Sequence, residues 1–114
     1  MKTLIVVLIF IAFDVITGIC KAAYQGDINS TYLRQGLYHK LTEIFAVLMG
    51  VGLEYGARYI DLGINLHLTN IIATYICTME LISIIENICE INPTLAKLFK
   101  PYLEKLKGDK KEDE

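Results

Sequence analysis

Six acidic residues, and no Lys or Arg, lie inside the three longest apolar stretches of this chain. Asp14 sits in the run from Thr3 to Cys20. Glu43 and Glu54 sit in the run from Leu41 to Ala57, and Glu80, Glu86 and Glu90 in the run from Thr69 to Ile91. Apolar runs of this length read as membrane spans, where a carboxylate is costly unless it is neutralised, paired or wetted. With no cation inside the runs, the acids must face each other, face water or hold protons.

The length, 114 residues, suits one domain, and 54% of them are hydrophobic. The charged residues cluster between and after the apolar runs. LIVVLIFIAF, Leu4 to Phe13, is apolar on every side, whereas a soluble helix shows a one-sided stripe. Lipid is the solvent it fits. A net charge of −2, with no basic aromatic patch and no Gly-rich phosphate loop, excludes a nucleic-acid footprint. Lys2 before an apolar core resembles the start of a secretory signal. Asp14 inside that core and the two further runs favour a retained span. Thr17-Gly18-Ile19-Cys20 resembles a lipoprotein cleavage site, but Ile19 is too large for the residue before the cysteine. Cys20, Cys77 and Cys89 form no CxxC pair and have no His at ligand spacing, so neither a zinc site nor a disulfide framework is indicated. No Ser/His/Asp or Cys/His set assembles, and a short, mostly lipid-facing chain leaves little room for a substrate pocket. No enzyme, metal or cofactor is expected.

The fold class that follows is an all-α membrane protein with spans at about 3–20, 41–57 and 69–91. Asn29-Ser30 is a helix start signal ahead of Leu33, Leu37 and Tyr38, which predicts an interfacial amphipathic helix leading into the second span. Asp61-Leu62-Gly63 reads as a turn, and Asn92-Pro93 as a cap and first-turn pair. From 93 to 107 an amphipathic segment carries Leu95, Leu98, Phe99, Tyr102 and Leu106 on one face, with lysines elsewhere that suit an anionic membrane surface. Pro101 should break or kink it near Lys100. Residues 1–107 form a single membrane domain, and 108–114 a charged, disordered tail. Lys21, Arg34, Lys40 and six tail lysines fall on one side of the spans, against Lys2 and Arg58 on the other. The positive-inside rule therefore puts the N-terminus outside and the C-terminus in the cytoplasm.

At helical spacing the polar residues form stripes: Asp14, Thr17, Gly18 and Lys21 in the first span, then Glu43, Val47, Gly50 and Glu54 in the second. The third groups Glu80, Ser83, Asn87 and Glu90. Each span has one face that lipid would reject and a neighbouring helix would accept. Nine Ile and Leu residues in the third span contribute about −0.3 to −0.6 kcal/mol each, while a charged acid near its centre costs about +2.5 to +3.5. Glu80 and Glu86 alone can cancel the apolar gain, so lone subunits are driven to associate. The rise of about 1.5 Å per residue places Asp14 and Glu86 in the cytoplasmic half, Glu80 near the middle and Glu54 in the outer half. His39 and His67 read as ordinary surface, and Tyr38, Tyr55, Tyr59 and Tyr102 as an aromatic belt.

Three motifs carry a resemblance. They are Asp14-Val15-Ile16-Thr17-Gly18; Ser30 followed by Arg34-Gln35-Gly36-Leu37-Tyr38-His39-Lys40; and Glu80-Leu81-Ile82-Ser83-Ile84-Ile85-Glu86-Asn87. In this order, over about Met1 to Phe99, the chain resembles phage holins of the toxin-secretion/phage-lysis family, which includes clostridial toxin-export holins. The resemblance implies a homo-oligomer in the bacterial cytoplasmic membrane. It opens lesions for an endolysin or a large toxin, without a cofactor or catalytic residues and without stable binding of that partner. The motif acids fall on Asp14, Glu80, Glu86 and Asn87, while Glu54 stands on the physical argument alone. The candidate helix-interface or pore-lining residues are Asp14, Thr17, Gly18, Glu54, Glu80, Ser83, Glu86 and Asn87. A small ion channel or transporter subunit, or a nonconducting membrane scaffold, are the alternative readings.

Overall fold

A computed structural model describes residues 2–63 and 67–111. Four helices follow in order: α1 (Lys2–Gln25), α2 (Ser30–Gly56), α3 (Leu68–Ile91) and α4 (Pro93–Lys111). Local chemistry sets their ends. Gly26, at φ +69°, closes α1: its N–H bonds to Ala23 O, and that of Asp27 to Ala22 O, the paired arrangement that satisfies a helix's last carbonyls. Asn29 Oδ1 accepts from the N–H groups of Thr31 (2.9 Å) and Tyr32 (3.4 Å) and so starts α2. Asp61 Oδ1 accepts from Gly63 N at 3.1 Å, folding the expected turn, and Asn92 Oδ1 accepts from Thr94 N at 3.2 Å to cap α4 behind Pro93.

α1 and α3 lie side by side and run in the same direction, with Asp14 against Asn87 and Lys21 against Glu90. α2 runs back alongside the pair, more closely against α3 than α1, and α4 packs on the far end of α3. The apolar core is small. Val7 and Ile11 of α1, Val47 of α2, and Ala73 and Ile76 of α3 form it, flanked by Leu4, Ile44, Ile72 and Cys77. Large apolar side chains cover the outside instead, among them Ile5, Ile9, Phe13 and Ile16 on α1 and Phe45 and Met49 on α2. α1 and α3 are long and apolar enough to cross a membrane, with mean hydropathies of 2.6 and 1.6. Each has 24 residues, or about 36 Å at 1.5 Å per residue, against about 30 Å of hydrocarbon. α2, which carries Arg34, Lys40, Glu43 and Glu54, does not meet that measure.

The structure corrects several boundaries. The interfacial helix expected between the first two spans is not a separate element. Leu33, Leu37 and Tyr38 belong to the same unbroken helix as the residues of the second run, because nothing between Ser30 and Gly56 forces a break. Pro101 does not end α4 either. It lies on the exposed side, so the carbonyl it leaves unpaired stays open to water or headgroups. Of the charged tail expected over 108–114, residues 108–111 continue α4, and 112–114 lie outside the described residues, as do 64–66 of the second loop.

Candidate functional site

The parallel pairing of α1 and α3 puts their polar stripes face to face at mid-length. Asp14 and Asn87 are 7% and 6% exposed, and Glu80 only 2%. Asn87 Nδ2 donates to Asp14 Oδ1 (3.2 Å) and to Thr17 Oγ1 (3.1 Å), and the Thr17 hydroxyl donates to Phe13 O at 2.8 Å. Gly18 faces this contact without being required by it, since a Cβ there would stand 3.7 Å from Asn87 Nδ2, an ordinary van der Waals distance. Ser83 lies within hydrogen-bonding reach of Asp14. Five of the candidate helix-interface residues, Asp14, Thr17, Gly18, Glu80 and Asn87, thus meet within one chain, with Ser83 beside them.

The cation that the apolar runs lack comes from α2. Lys40 Nζ donates to Asp14 Oδ2 at 2.5 Å and to Glu80 Oε1 and Oε2 at 2.8 and 2.7 Å, tying three helices through one ammonium. Lys40 therefore belongs to the interior of the helix group, not to the first loop, where hydropathy alone puts its charge. The inference that the acids have no basic partner is corrected with it. The sequence held the signal. Lys40 stands three residues before Glu43 and so extends the stripe Glu43, Val47, Gly50, Glu54 by one turn. A boundary drawn at Leu41 hides it.

The Glu80 carboxyl also has those of Asp14 and Glu43 within hydrogen-bonding reach. Glu43 Oε1 pairs with Nδ1 of exposed His39 at 3.2 Å, while its Oε2 is buried with no donor in reach among the described residues. Two carboxylates can bond only through a shared proton. Asp14 and Glu80 thus share one ammonium, and Glu43 stands beside Glu80 at the partly exposed edge of the cluster.

Glu54 and Glu86 lie elsewhere. Glu54 Oε1 accepts from Thr69 N at 2.9 Å and caps α3, whose own N-cap residue, His67, makes no side-chain bond. Gly50 permits that crossing, since a Cβ there would sit 3.2 Å from Thr69 Cα. Glu86 is half exposed and pairs with Lys107 of α4 at 3.3 Å, and Glu90 meets Gln25 and Lys21 at the same end of the molecule.

A model of the bacteriophage holin family matches residues 1–108. The chain belongs to that family. No curated protein and no solved structure matches it. As a holin it is a pore-forming protein of phage lysis that permeabilises the bacterial inner membrane, and α1 and α3 are helices fit to cross that membrane. The buried seam is the polar interior of a holin whose outside is apolar.

Proposed function

We propose that this holin accumulates in the cytoplasmic membrane as a three-span bundle, α1, α2 and α3, with its N-terminus outside and its C-terminus in the cytoplasm. Copies then associate into lesions through which an endolysin, or a large toxin, leaves the cytoplasm. The observation that carries the reading is the buried contact of Lys40 with Asp14 and Glu80. It neutralises charge inside an apolar shell and so lets α2 lie in lipid despite its polar stripe. Asp14, Thr17, Gly18, Glu80, Ser83 and Asn87 serve the helix interface, Glu54 the start of α3, and Glu86 the docking of α4. With Lys40 inside the bundle, Lys21, Arg34 and the tail lysines remain on the cytoplasmic side, so the excess of basic residues still falls there.

Reconstitution tests this. Vesicles loaded with both a small dye and a folded protein of endolysin size should release the two together once holin density passes a threshold. Release of the dye alone at every density would instead favour a small ion-conducting channel, and release of neither a scaffold.

A further inference from the structure

The stripe Lys40, Glu43, Val47, Gly50 and Glu54 recurs every three or four residues and fills an arc of roughly 80° at 3.6 residues per turn. Most of the links described above between α2 and the α1–α3 pair come from it: the Lys40 ion pairs, the Val47 side chain in the core, the Gly50 approach to Thr69 and the Glu54 cap, with Ile44 on its flank against the core. The opposite side of α2 presents Leu41, Phe45, Leu48, Met49 and Tyr55, each 42–60% exposed. α1 and α3 also meet each other directly, apart from the bridge that Lys40 makes between them. Val7 and Ile11 pack with Ala73 and Ile76, and Asn87 ties Asp14 to Thr17.

We infer that α2 is the helix that lines the lesion, turning its Lys40–Glu54 stripe from the α1–α3 pair to water. The inference rests on the pore-forming reading above and names the surface that does the work. The physical case is an asymmetry. The polar links of α2 exchange protein partners for water with little net change, and its share of the apolar core is confined to Val47 and the flanking Ile44, whereas parting α1 from α3 would expose Val7, Ile11, Ala73 and Ile76. Once released, an amphipathic α2 keeps its apolar side on lipid or a neighbouring copy, and Lys40, Glu43 and Glu54 hydrate in the lumen together with the uncovered Asp14 and Glu80. α2 is also the one of the three helices that falls short of the hydropathy needed to cross a membrane unaided.

Two measurements on the full-length holin test this. A Gly50→Cys/Thr69→Cys pair places its Cβ atoms close enough for a disulfide, since a Cβ at Gly50 lies 3.2 Å from Thr69 Cα. The oxidised chain should lyse at least tenfold later than the same variant kept reduced, and adding a reductant should abolish that delay. In the second, Val47→Cys, buried in the closed form, should react with a membrane-impermeant maleimide at least tenfold faster after lysis begins, measured over the background of the parent's own cysteines. Ile5→Cys on the lipid side of α1 should stay slow throughout. Lysis on schedule with the disulfide formed, or Val47→Cys as slow as Ile5→Cys while protein-sized cargo escapes, overturns the inference and leaves the pore-forming reading standing. If the double variant is inert even when reduced, the labelling arm decides alone. If the parent itself releases no protein-sized cargo, the pore-forming reading and this inference fall together.

Discussion

Replacing Lys40 by Met tests the seam most sharply. The Lys40, Asp14 and Glu80 side chains are only 18%, 8% and 3% exposed, with N···O distances of 2.5 and 2.7 Å. Removing one partner of a buried ion pair costs about 3–5 kcal/mol, because the charges left behind lose their counterion where water cannot replace it. Proton uptake by the orphaned carboxyls relieves part of this, so about 3 kcal/mol is the working figure. At about 1.4 kcal/mol per tenfold, that shifts the balance between attached and detached α2 by roughly a hundredfold. Lys40→Met should therefore melt at lower temperature in detergent and lyse cells earlier after induction, read as the onset of the fall in optical density. The triple variant D14N/K40M/E80Q removes the charges together. It should recover most of the loss, since a neutral set of similar shape is close in energy to a buried ion pair. If Lys40→Met matches the parent in both assays, the seam does not hold α2. A triple variant no better than the single one would refute the ion-pair account equally.

The remaining expectations divide the acids and glycines by what they touch. Glu86→Gln removes a half-exposed pair with Lys107, worth at most about 1 kcal/mol, so lysis timing should stay parental while Glu80→Gln alters it; equal shifts in both would contradict the separation of the two sites. Glu54→Ala uncaps α3 and should speed hydrogen exchange at the amides of its first turn without touching those of α1; unchanged protection would remove Glu54 from that role. Gly50→Ala drives a Cβ to 3.2 Å from Thr69 Cα and should destabilise by about 1–3 kcal/mol. Gly18→Ala meets only Asn87 Nδ2 at 3.7 Å and should be neutral or gain up to about 1 kcal/mol in thermal melts; the reverse order would show that α1, not α2, makes the tighter crossing.

Much of the helical plan was legible because it rests on local chemistry. Asn29, Asp61-Leu62-Gly63 and Asn92-Pro93 do in the structure what their side chains and ring geometry dictate. The stripes on the first and third runs were legible too, since Asp14, Thr17, Glu80 and Asn87 recur at helical spacing and meet. What stayed hidden depends on a third helix. A lysine at the edge of an apolar run reads as interfacial when depth is inferred from hydropathy alone. Its long stem allows the ammonium to sit wherever two carboxylates converge. Glu54 stood out for its cost in lipid and is in fact a cap, because no sequence pattern tells which helix end lies beside a given side chain.

The placement of polarity explains how a holin can be quiet and then abruptly destructive. An apolar exterior gives single copies no strong reason to admit water, while the groups able to line water are stored facing inward around one ammonium. Because α2 is held through a few polar and small-residue links on one face, losing one of them weakens the hold on the others along the same rigid helix. On the proposal that α2 is released, a copy presents its stripe only where other copies or water can receive it, and release would grow more favourable as released neighbours accumulate. With α2 as the lining helix, the threshold density for lysis reflects the strength of the Lys40 seam. Variants that weaken it should lower the number of holin copies per cell at onset in step with their loss of melting temperature, and a series in which the two quantities vary independently would sever the link.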